Sequence, residues 1–596
     1  MSRNGAEAVR VSATGSIPTP SGGIVARVAP HPRRHLVTIA LEDYYHVGTF
    51  SHLIDRAQWY RFETRLEQGT RRTLALLDEF GIRATFFVLG SIAETVPELV
   101  RELADRGHEI ASRGYSHRRI RQFANVEEFK DELVRSRETL ERASGRRIVG
   151  HRIGDQWLGP EDLWALDAIA DAGYAYDSSV GPLFRRFAAE PWRRFAHRHI
   201  AADSGRSLWE FPISTVQLFG LSIPISGGNY FRQFPHTLVK RAVEHWDRVH
   251  DSPFMMYFHT WELDPEQPRI NASSTRARVR HYRNLEKLPG ILQHYFGHYK
   301  FVGVAEYLGL DTALPGPVPP IPAPVTLAPL LVRPARAGIG LAGGDASGAS
   351  VAIAAVTLVV PCYNEELSLA YLANTLRRLE ESLADRYTFH FVFVDDCSTD
   401  RTYAMLQQLF GSHPRCTIVR HEKNAGVAAA MRTGILNAPT EIVASIDCDC
   451  TYDPLELQRM IPMLADGVDL VVASPYHPAG GVRNVPPWRL VLSKTLSGIY
   501  RVVLHQKLAT YTSCFRVYRR SSALSVPLTN GGFLGVAEFV GRLDLSGGRI
   551  LEYPTVLHVR VLGSSKMKIL RVIAGHLGLV MRLAAQRITG GRAPRA

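Results

Sequence analysis

A chain of 596 residues is too long for one hydrophobic core and sets an expectation of roughly two to four domains. Its 45% hydrophobic and 21% charged residues exclude wholesale disorder. A formal charge of +13 with no RNA or DNA motif points to lipid phosphates and nucleotide diphosphates rather than nucleic acid as anionic partners.

Along the chain, residues 1–34 contain no apolar run of signal-peptide length and read as a disordered leader. The pattern then alternates. Leu36–Leu41 and Ala84–Leu89 read as strands, Thr70–Phe80 as a helix, and Pro97–Arg106 as a helix closed by Gly107. Eight prolines fall between Pro315 and Pro334, and Gly, Ala and Ser dominate from Gly338 to Ser350, so 312–352 reads as a linker. Beyond it Ala355–Val360, Phe389–Val394, Thr417–Arg420 and Ile442–Ile446 read as strands between helical stretches. The expectation is an α/β protein with domains at 35–311 and 353–588 and a tail at 589–596, its strands mostly parallel and its ligands beyond their carboxyl ends.

No stretch of about twenty uninterrupted apolar residues occurs. The six cysteines, Cys362, Cys397, Cys416, Cys448, Cys450 and Cys514, form no CxxC pair, which argues against a disulfide framework or a zinc ribbon and fits a reducing compartment. The expected location is cytoplasmic, peripheral at most on the inner face of the cell membrane. The stretch Lys566–Arg587 is apolar with basic residues spaced through it. Two readings stand: an interfacial helix on an anionic membrane, or a helix packed on its own domain with a solvated basic face.

Two constellations carry chemistry. In the first half Glu42 and Asp43 follow a strand, and His117, Arg152 and His259 follow or end later ones; a barrel builds a hydrolytic site from such strand ends. In the second half three acidic clusters follow three apolar strands: Pro361–Glu366, Asp395–Asp400 and Asp447-Cys-Asp449. Hard oxygen ligands at Asp-x-Asp suit Mg²⁺ or Mn²⁺ bridging a diphosphate.

Residues about 354–584 resemble the family 2 glycosyltransferases of the GT-A fold, most of all the dolichyl- or polyprenyl-phosphate sugar transferases. The motifs that carry the resemblance are Val359–Glu366, Val394–Asp400, Asn424-Ala-Gly426, Asp447-Cys-Asp449, Tyr511–Arg516 and Arg560–Met567. It implies that Pro361, Tyr363, Glu365 and Asp395 hold the base and ribose of a nucleotide sugar, and that Asp447 and Asp449 hold the metal, with Asp449 catalytic. It also implies that Arg560 and Lys566 meet the diphosphate or acceptor phosphate, and that Arg489 and Ser493 face a polyprenyl-phosphate or lipid-linked glycan acceptor. Pro475 stands after Ser474 where the family usually has arginine, so one expected acceptor-phosphate contact is missing; the Gln-x-x-Arg-Trp motif of processive synthases is absent, so transfer of a single sugar is expected.

Residues about 36–310 resemble the polysaccharide deacetylases of carbohydrate esterase family 4, in the subgroup tied to exopolysaccharide systems. The matching text includes Leu41–Tyr45, Arg83–Gly90, Gly107–Ser112, Gly114–His117, Tyr176–Ser179 and Tyr257–Asp264. It implies an irregular (β/α) barrel in which Glu42 is the base, Asp43 and His117 bind Zn²⁺, Arg152 steadies the base and His259 protonates the leaving amine. Arg113 occupies the position of the family's remaining histidine ligand, Gly154 replaces a proline near Arg152, and Thr260 replaces the proline after His259. A fixed cation about 4 Å from a divalent ion costs roughly 8 kcal/mol at an effective dielectric of about 20. The expectation is therefore a metal-free fold in which Arg113 pairs with Glu42 or Asp43. The alternatives are a ligand set rebuilt with His46 or His151 and a true bifunctional deacetylase and glycosyltransferase.

Overall fold

The computed structural model describes residues 33–271, 273–324, 353–485, 487–563 and 569–589, the side chains of 487–489 and 569–573 excepted. Residues 1–32 of the expected leader, most of the expected linker, Lys566 and the last seven residues lie outside the described residues, and Arg34, the last leader residue expected, opens the first strand. The chain divides into two compact units, the first built from residues between 33 and 324 and the second mainly from 353–589.

The N-terminal unit is a curled, nearly all-parallel sheet of nine strands. Eight run in the order Met255–His259, Arg34–Leu41, Thr85–Val88, Glu109–Ser112, Gly150–His151, Tyr176–Asp177, Ser207–Glu210 and His197–Ile200, and Lys300–Val302 pairs with Arg34–Leu41. Only the pairing of the His197 and Ser207 strands is antiparallel. The strand Arg34–Leu41 is buried from His35 onward, as a parallel strand covered on both faces must be. Its odd residues Val37, Ile39 and Leu41 join one core with Leu74, Leu77 and Phe86. Leu36 joins the opposite one with Phe87 and Tyr176.

The helix Pro97–Asp105 starts on proline and is followed by the left-handed Gly107 (φ 82°), the pairing of terminators its sequence predicts. The helix expected over 70–80 runs from Leu66 to Glu79. Gly69 lies inside it because a Cβ there would sit 2.8 Å from the Thr260 carbonyl oxygen. Close approach to the loop after the Met255 strand, not helix termination, accounts for that glycine.

The C-terminal unit is a seven-stranded mixed sheet in the order Cys416–Arg420, Tyr387–Asp395, Ala354–Cys362, Ile442–Ser445, Arg516–Arg519, Leu470–Ser474 and Ile550–Pro554. Arg516–Arg519 runs antiparallel to both neighbours. The chain builds outward from Ala354–Cys362 in one direction and then returns to pair Ile442–Ser445 on its other side. Such a reversal opens a crevice at the carboxyl ends of the two central strands.

The helices Pro487–Val503 and Ile569–Thr589 pack together in this unit. Tyr500 Oη lies 2.7 Å from His576 Nδ1, and Arg587 Nη1 donates to the Val503 carbonyl (2.6 Å). His576, Leu579, Val580 and Leu583 are buried, while Leu577, Met581 and Ile588 are exposed beside Arg582 and Arg587. The second of these helices is therefore packed on its own domain and also presents an apolar, basic outer face.

The segment from Thr312 begins as part of the N-terminal unit. The Thr312 carbonyl accepts from Arg147 N (2.8 Å) and the Pro319 carbonyl from Arg101 Nη2 (3.0 Å). A fragment of residues 33–324 is expected to melt about 2–5 °C above one ending at Asp311, since each hydrogen bond contributes about 1 kcal/mol. Calorimetry of the two fragments checks this, and coincident melts would show that the segment adds nothing.

Candidate functional site

In the C-terminal unit the loops Pro361–Glu366 and Asp395–Asp400 leave neighbouring strands in register, Cys362 opposite Asp395. Asn364 adopts φ 53°, a left-handed turn that asparagine tolerates. Its side-chain oxygen accepts from Thr399 N (2.7 Å), and its own N–H donates to Ser398 Oγ (2.8 Å). Glu365 N donates to Thr402 Oγ1 (2.7 Å) and Arg401 N to Glu366 (3.1 Å), so the two loops are stitched into one rim. Asp395 is fully buried in that rim, 3.1 Å from Arg420 Nε, while Tyr363 stands at the surface, 39% exposed, beside the half-buried Pro361.

Across the crevice, Asp447 and Asp449 follow the strand Ile442–Ser445. Asp449 accepts from Thr451 N (3.1 Å) and faces Arg560 Nη1 (3.5 Å); Arg560 also pairs with Glu365 and donates to the Leu562 carbonyl (2.8 Å). Enclosure by protein, reinforced by the Asp449 charge, pushes the Asp447 carboxyl up to about 7. Enclosure also raises Glu365, with Arg560 opposing and Asp449 adding to the rise. Three carboxylates thus lie about one guanidinium, and this excess of negative oxygen lets Asp447 and Asp449 suit a divalent cation. Two aspartates alone leave most of its coordination open, as Mg²⁺ and Mn²⁺ sites that also take phosphate oxygens do. Ser493 is half-buried on the helix Pro487–Val503, on which Arg489 also lies; the Arg489 side chain is outside the described residues, as is Lys566.

In the N-terminal unit the Glu42 carboxylate, 1% exposed, is held on three sides. Arg113 Nε pairs with Oε1, His117 Nε2 lies 2.9 Å from the same oxygen, and His259 Nδ1 lies 3.0 Å from Oε2. Burial opposes ionisation, but Arg113, His117 and His259 outweigh it and hold Glu42 well below the usual carboxylate range. Arg152 reaches Thr38 Oγ1 (3.0 Å), Ser178 Oγ (2.8 Å) and the Ser178 carbonyl (3.0 Å). The contact with the base that the resemblance implies for Arg152 belongs to Arg113.

Asp43 Oδ2 accepts from Thr64 Oγ1 (2.8 Å) and Arg65 N (2.9 Å), and burial pushes its carboxyl up to about 6. His46 Nδ1 takes the Asp43 N–H (3.0 Å), and His151, fully buried, pairs with Asp177 (2.7 Å). These residues do not fit a Zn²⁺ site: one candidate ligand is hydrogen-bonded to the base, another is saturated by backbone and hydroxyl donors, and a guanidinium occupies the third position. Among the described residues no group of three or more His, Cys, Asp or Glu is placed to hold a metal.

The departures from the family pattern are accommodated locally. Thr260 Oγ1 bonds the Glu42 backbone (2.9 and 3.2 Å), and a Cβ on Gly154 would come within 3.2 Å of the His117 backbone.

Sequence reasoning passed over Asp396. Its carboxylate accepts from Ala425 N (2.8 Å) and Gly426 N (2.7 Å) and meets His421 Nδ1 (2.8 Å), fixing the turn into the helix Val427–Leu436. The signal was the Asn424-Ala-Gly426 turn itself, whose amides require an acceptor. Arg420 was missed because nothing in its strand pattern marks it as the partner of Asp395.

Replacing Glu42 with glutamine is expected to destabilise the N-terminal unit by about 3 kcal/mol near neutral pH, since it leaves Arg113 buried without its anion. The folded Glu42 ionises below the unfolded value, so its stabilisation is complete above the unfolded pKa and fades as pH falls through the folded one. Denaturant melts of both proteins at pH 7 and in acid check this: the gap should narrow in acid, and a gap independent of pH would contradict the ion pair.

Residues 357–525 match the glycosyl transferase family 2 model, 55–155 the polysaccharide deacetylase model, and 178–309 a domain of unknown function, DUF3473. Over 217 residues the chain is 30% identical to the polyprenol monophosphomannose synthase of Mycolicibacterium smegmatis, covering 35% of this chain and 80% of that protein. It is 27% identical over 215 residues to the dolichol-phosphate mannosyltransferase of Pyrococcus furiosus, covering 36% of this chain and 59% of that one. A crystal structure of Mycobacterium tuberculosis glucosyl-3-phosphoglycerate synthase with Mn²⁺, UDP and glucosyl-3-phosphoglycerate aligns with 40% of this chain and 81% of its own, at 18% identity and a TM-score of 0.31. The chain belongs to the family 2 glycosyltransferases, related to the lipid-phosphate sugar transferases, and carries a polysaccharide deacetylase domain in its N-terminal half.

Proposed function

We propose that the C-terminal unit transfers one sugar from a nucleotide-sugar donor to a polyprenyl-phosphate or lipid-linked glycan acceptor, and that the N-terminal unit is a metal-free deacetylase fold that binds glycan. The observation that carries the first part is the cluster of Asp447, Asp449 and Glu365 around Arg560 at the switch point of the sheet. Asp447 and Asp449 would hold Mg²⁺ or Mn²⁺, which when bound neutralises the departing nucleoside diphosphate. Arg560, already between Glu365 and Asp449, adds a fixed positive charge beside the same phosphates. The rim of Pro361, Tyr363 and Asp395 receives the nucleoside; its stitching keeps the strand ends rigid, so orientation is set before the donor arrives. The acceptor phosphate approaches from the side of Ser493 and Arg489, where the helices Pro487–Val503 and Ile569–Thr589 expose Val491, Leu492, Leu577 and Met581. A polyprenyl chain in a bilayer would meet that face, with Arg582 and Arg587 toward anionic head groups. Among the described residues no helix is long and apolar enough to cross a membrane. The second part of the reading rests on Arg113, whose guanidinium takes the anion that a metal-bound water would need as its base.

Asp449→Ala is expected to lower transfer by at least about a thousandfold with Mn²⁺ supplied, a loss of roughly 4 kcal/mol of transition-state stabilisation, and to leave the melting temperature within a few degrees. Radiolabelled sugar transfer to short polyprenyl phosphate measures it. Activity within a few-fold of the parent protein would remove Asp449 from the site.

Flotation on vesicles rich in anionic lipid is expected at low salt and should weaken as ionic strength rises. Leu577→Glu combined with Met581→Glu should abolish it. Failure of the parent protein to float at low salt, or unchanged flotation of the double variant, would rule out this face.

A further inference from the structure

The barrel of the N-terminal unit opens on a cavity of about 330 Å³ at the carboxyl ends of its strands. Five arginines line it, and three of them are matched by carboxylates that line it too. Arg113 pairs with Glu42, Arg119 with Asp155 (2.7 Å) and Arg232 with Glu262 (2.8 Å). Arg152 and Arg280 are not matched. Arg152 is 1% exposed, and its protein acceptors are a serine hydroxyl, a serine carbonyl, a threonine hydroxyl and the Met255 sulfur. None is charged, and among the described residues Nη1 has no hydrogen-bond acceptor. No carboxylate among the described residues pairs with Arg152 directly: Asp177, held by His151, acts on it only at longer range, while burial first, then the Arg113 charge, lowers the Arg152 guanidinium to about 9. Arg280 stands exposed at the wall beside Tyr230 and Tyr257, and among the described residues its guanidinium makes no hydrogen bond or ion pair. Trp157 and Tyr257 meet edge to face with ring centroids 5.3 Å apart and form an aromatic corner beside these two cations.

We propose that this cavity receives a sugar residue bearing a negative charge, a carboxylate or a phosphate, with Arg280 and Arg152 as the countercharge and Trp157 and Tyr257 as the wall for the pyranose ring. The proposal rests on the reading of the N-terminal unit as a glycan-binding fold and names the chemistry it selects. Neutral N-acetylated glycans, the substrates the resemblance implies, bring neither guanidinium a paired anion. An acidic glycan supplies one while the ring covers the aromatic corner, where planar side chains recognise the apolar face of a sugar at small entropic cost. Charge selection of this kind also predicts a steep response to ionic strength, since Arg280 is at the mouth and screened by salt.

The test is calorimetric binding to the full-length protein of three short oligosaccharide probes: a uronate oligomer, a phosphorylated sugar oligomer and a neutral N-acetylglucosamine oligomer. The charged probes should bind at least about tenfold more tightly than the neutral one, an interaction difference of about 1.4 kcal/mol, and lose that advantage at high salt. Arg280→Ala should erase most of the difference without shifting the melt, Arg280→Glu should reverse it, and Arg280→Lys should restore part of it. Which of the two charged probes binds better identifies the anion as carboxylate or phosphate. Equal binding of charged and neutral probes, unaffected by Arg280→Ala, would overturn the charge selection and leave glycan binding standing. Absence of binding by all three would overturn the glycan-binding reading together with it.

Discussion

A carboxylate enclosed at the end of a parallel strand cannot remain ionised without a cation nearby, and both units of this protein are organised around that constraint. In the first, Glu42 is sealed among Arg113, His117 and His259. The guanidinium is part of the fold, so the charge is settled as soon as the chain is folded. In the second, Asp447, Asp449 and Glu365 converge on Arg560, and one guanidinium does not settle three carboxylates. The Asp447 carboxyl is pushed up to about 7, by burial first and then by the Asp449 charge. One strand end is closed by its own side chains; the other remains in electrostatic deficit until something positive arrives.

Much of this was legible in the sequence because it depends on short-range pattern. Continuous apolar runs marked the buried parallel strands, and all four strands read in the second half fall within two residues of both their observed ends. The acidic clusters at strand ends are contiguous in sequence, so Asp447, Asp449 and Asp395 could be named before any coordinates. Arg113 was legible as a substitution, but its choice of Glu42 over Asp43 was not, since that depends on Thr64 and the Arg65 amide already saturating Asp43. Arg152 was named as a candidate, but its Thr38 and Ser178 acceptors were not legible, and Arg280, from a helix far along the chain, went unnamed for the same reason. Their significance is the lack of a paired carboxylate among the described residues, which has no sequence signature.

The two outer helices of the second unit join the alternatives that the sequence left open. Burial of Leu579 and Leu583 against the domain requires small neighbours, and Gly541 provides the space, where a Cβ would lie 2.6 Å from Leu583. A helix so anchored is held by its inner face, which leaves the outer face free to be apolar without endangering the fold. Packing and surface recognition are thus separable along one helix, at positions three or four residues apart.

The stitched rim at Asn364 has a further consequence, for descent. Asn364 pairs with the backbone of Thr399 and with Ser398, and Glu365 and Glu366 are bound to Thr402 and Arg401. These contacts join two stretches of sequence more than thirty residues apart into one structural object. A change in either stretch alters the partners of the other, so the pair is constrained to vary together. Transplanting one loop from a relative without its companion would import donors without acceptors, whereas exchanging both as a unit preserves the turn and carries its recognition surface intact.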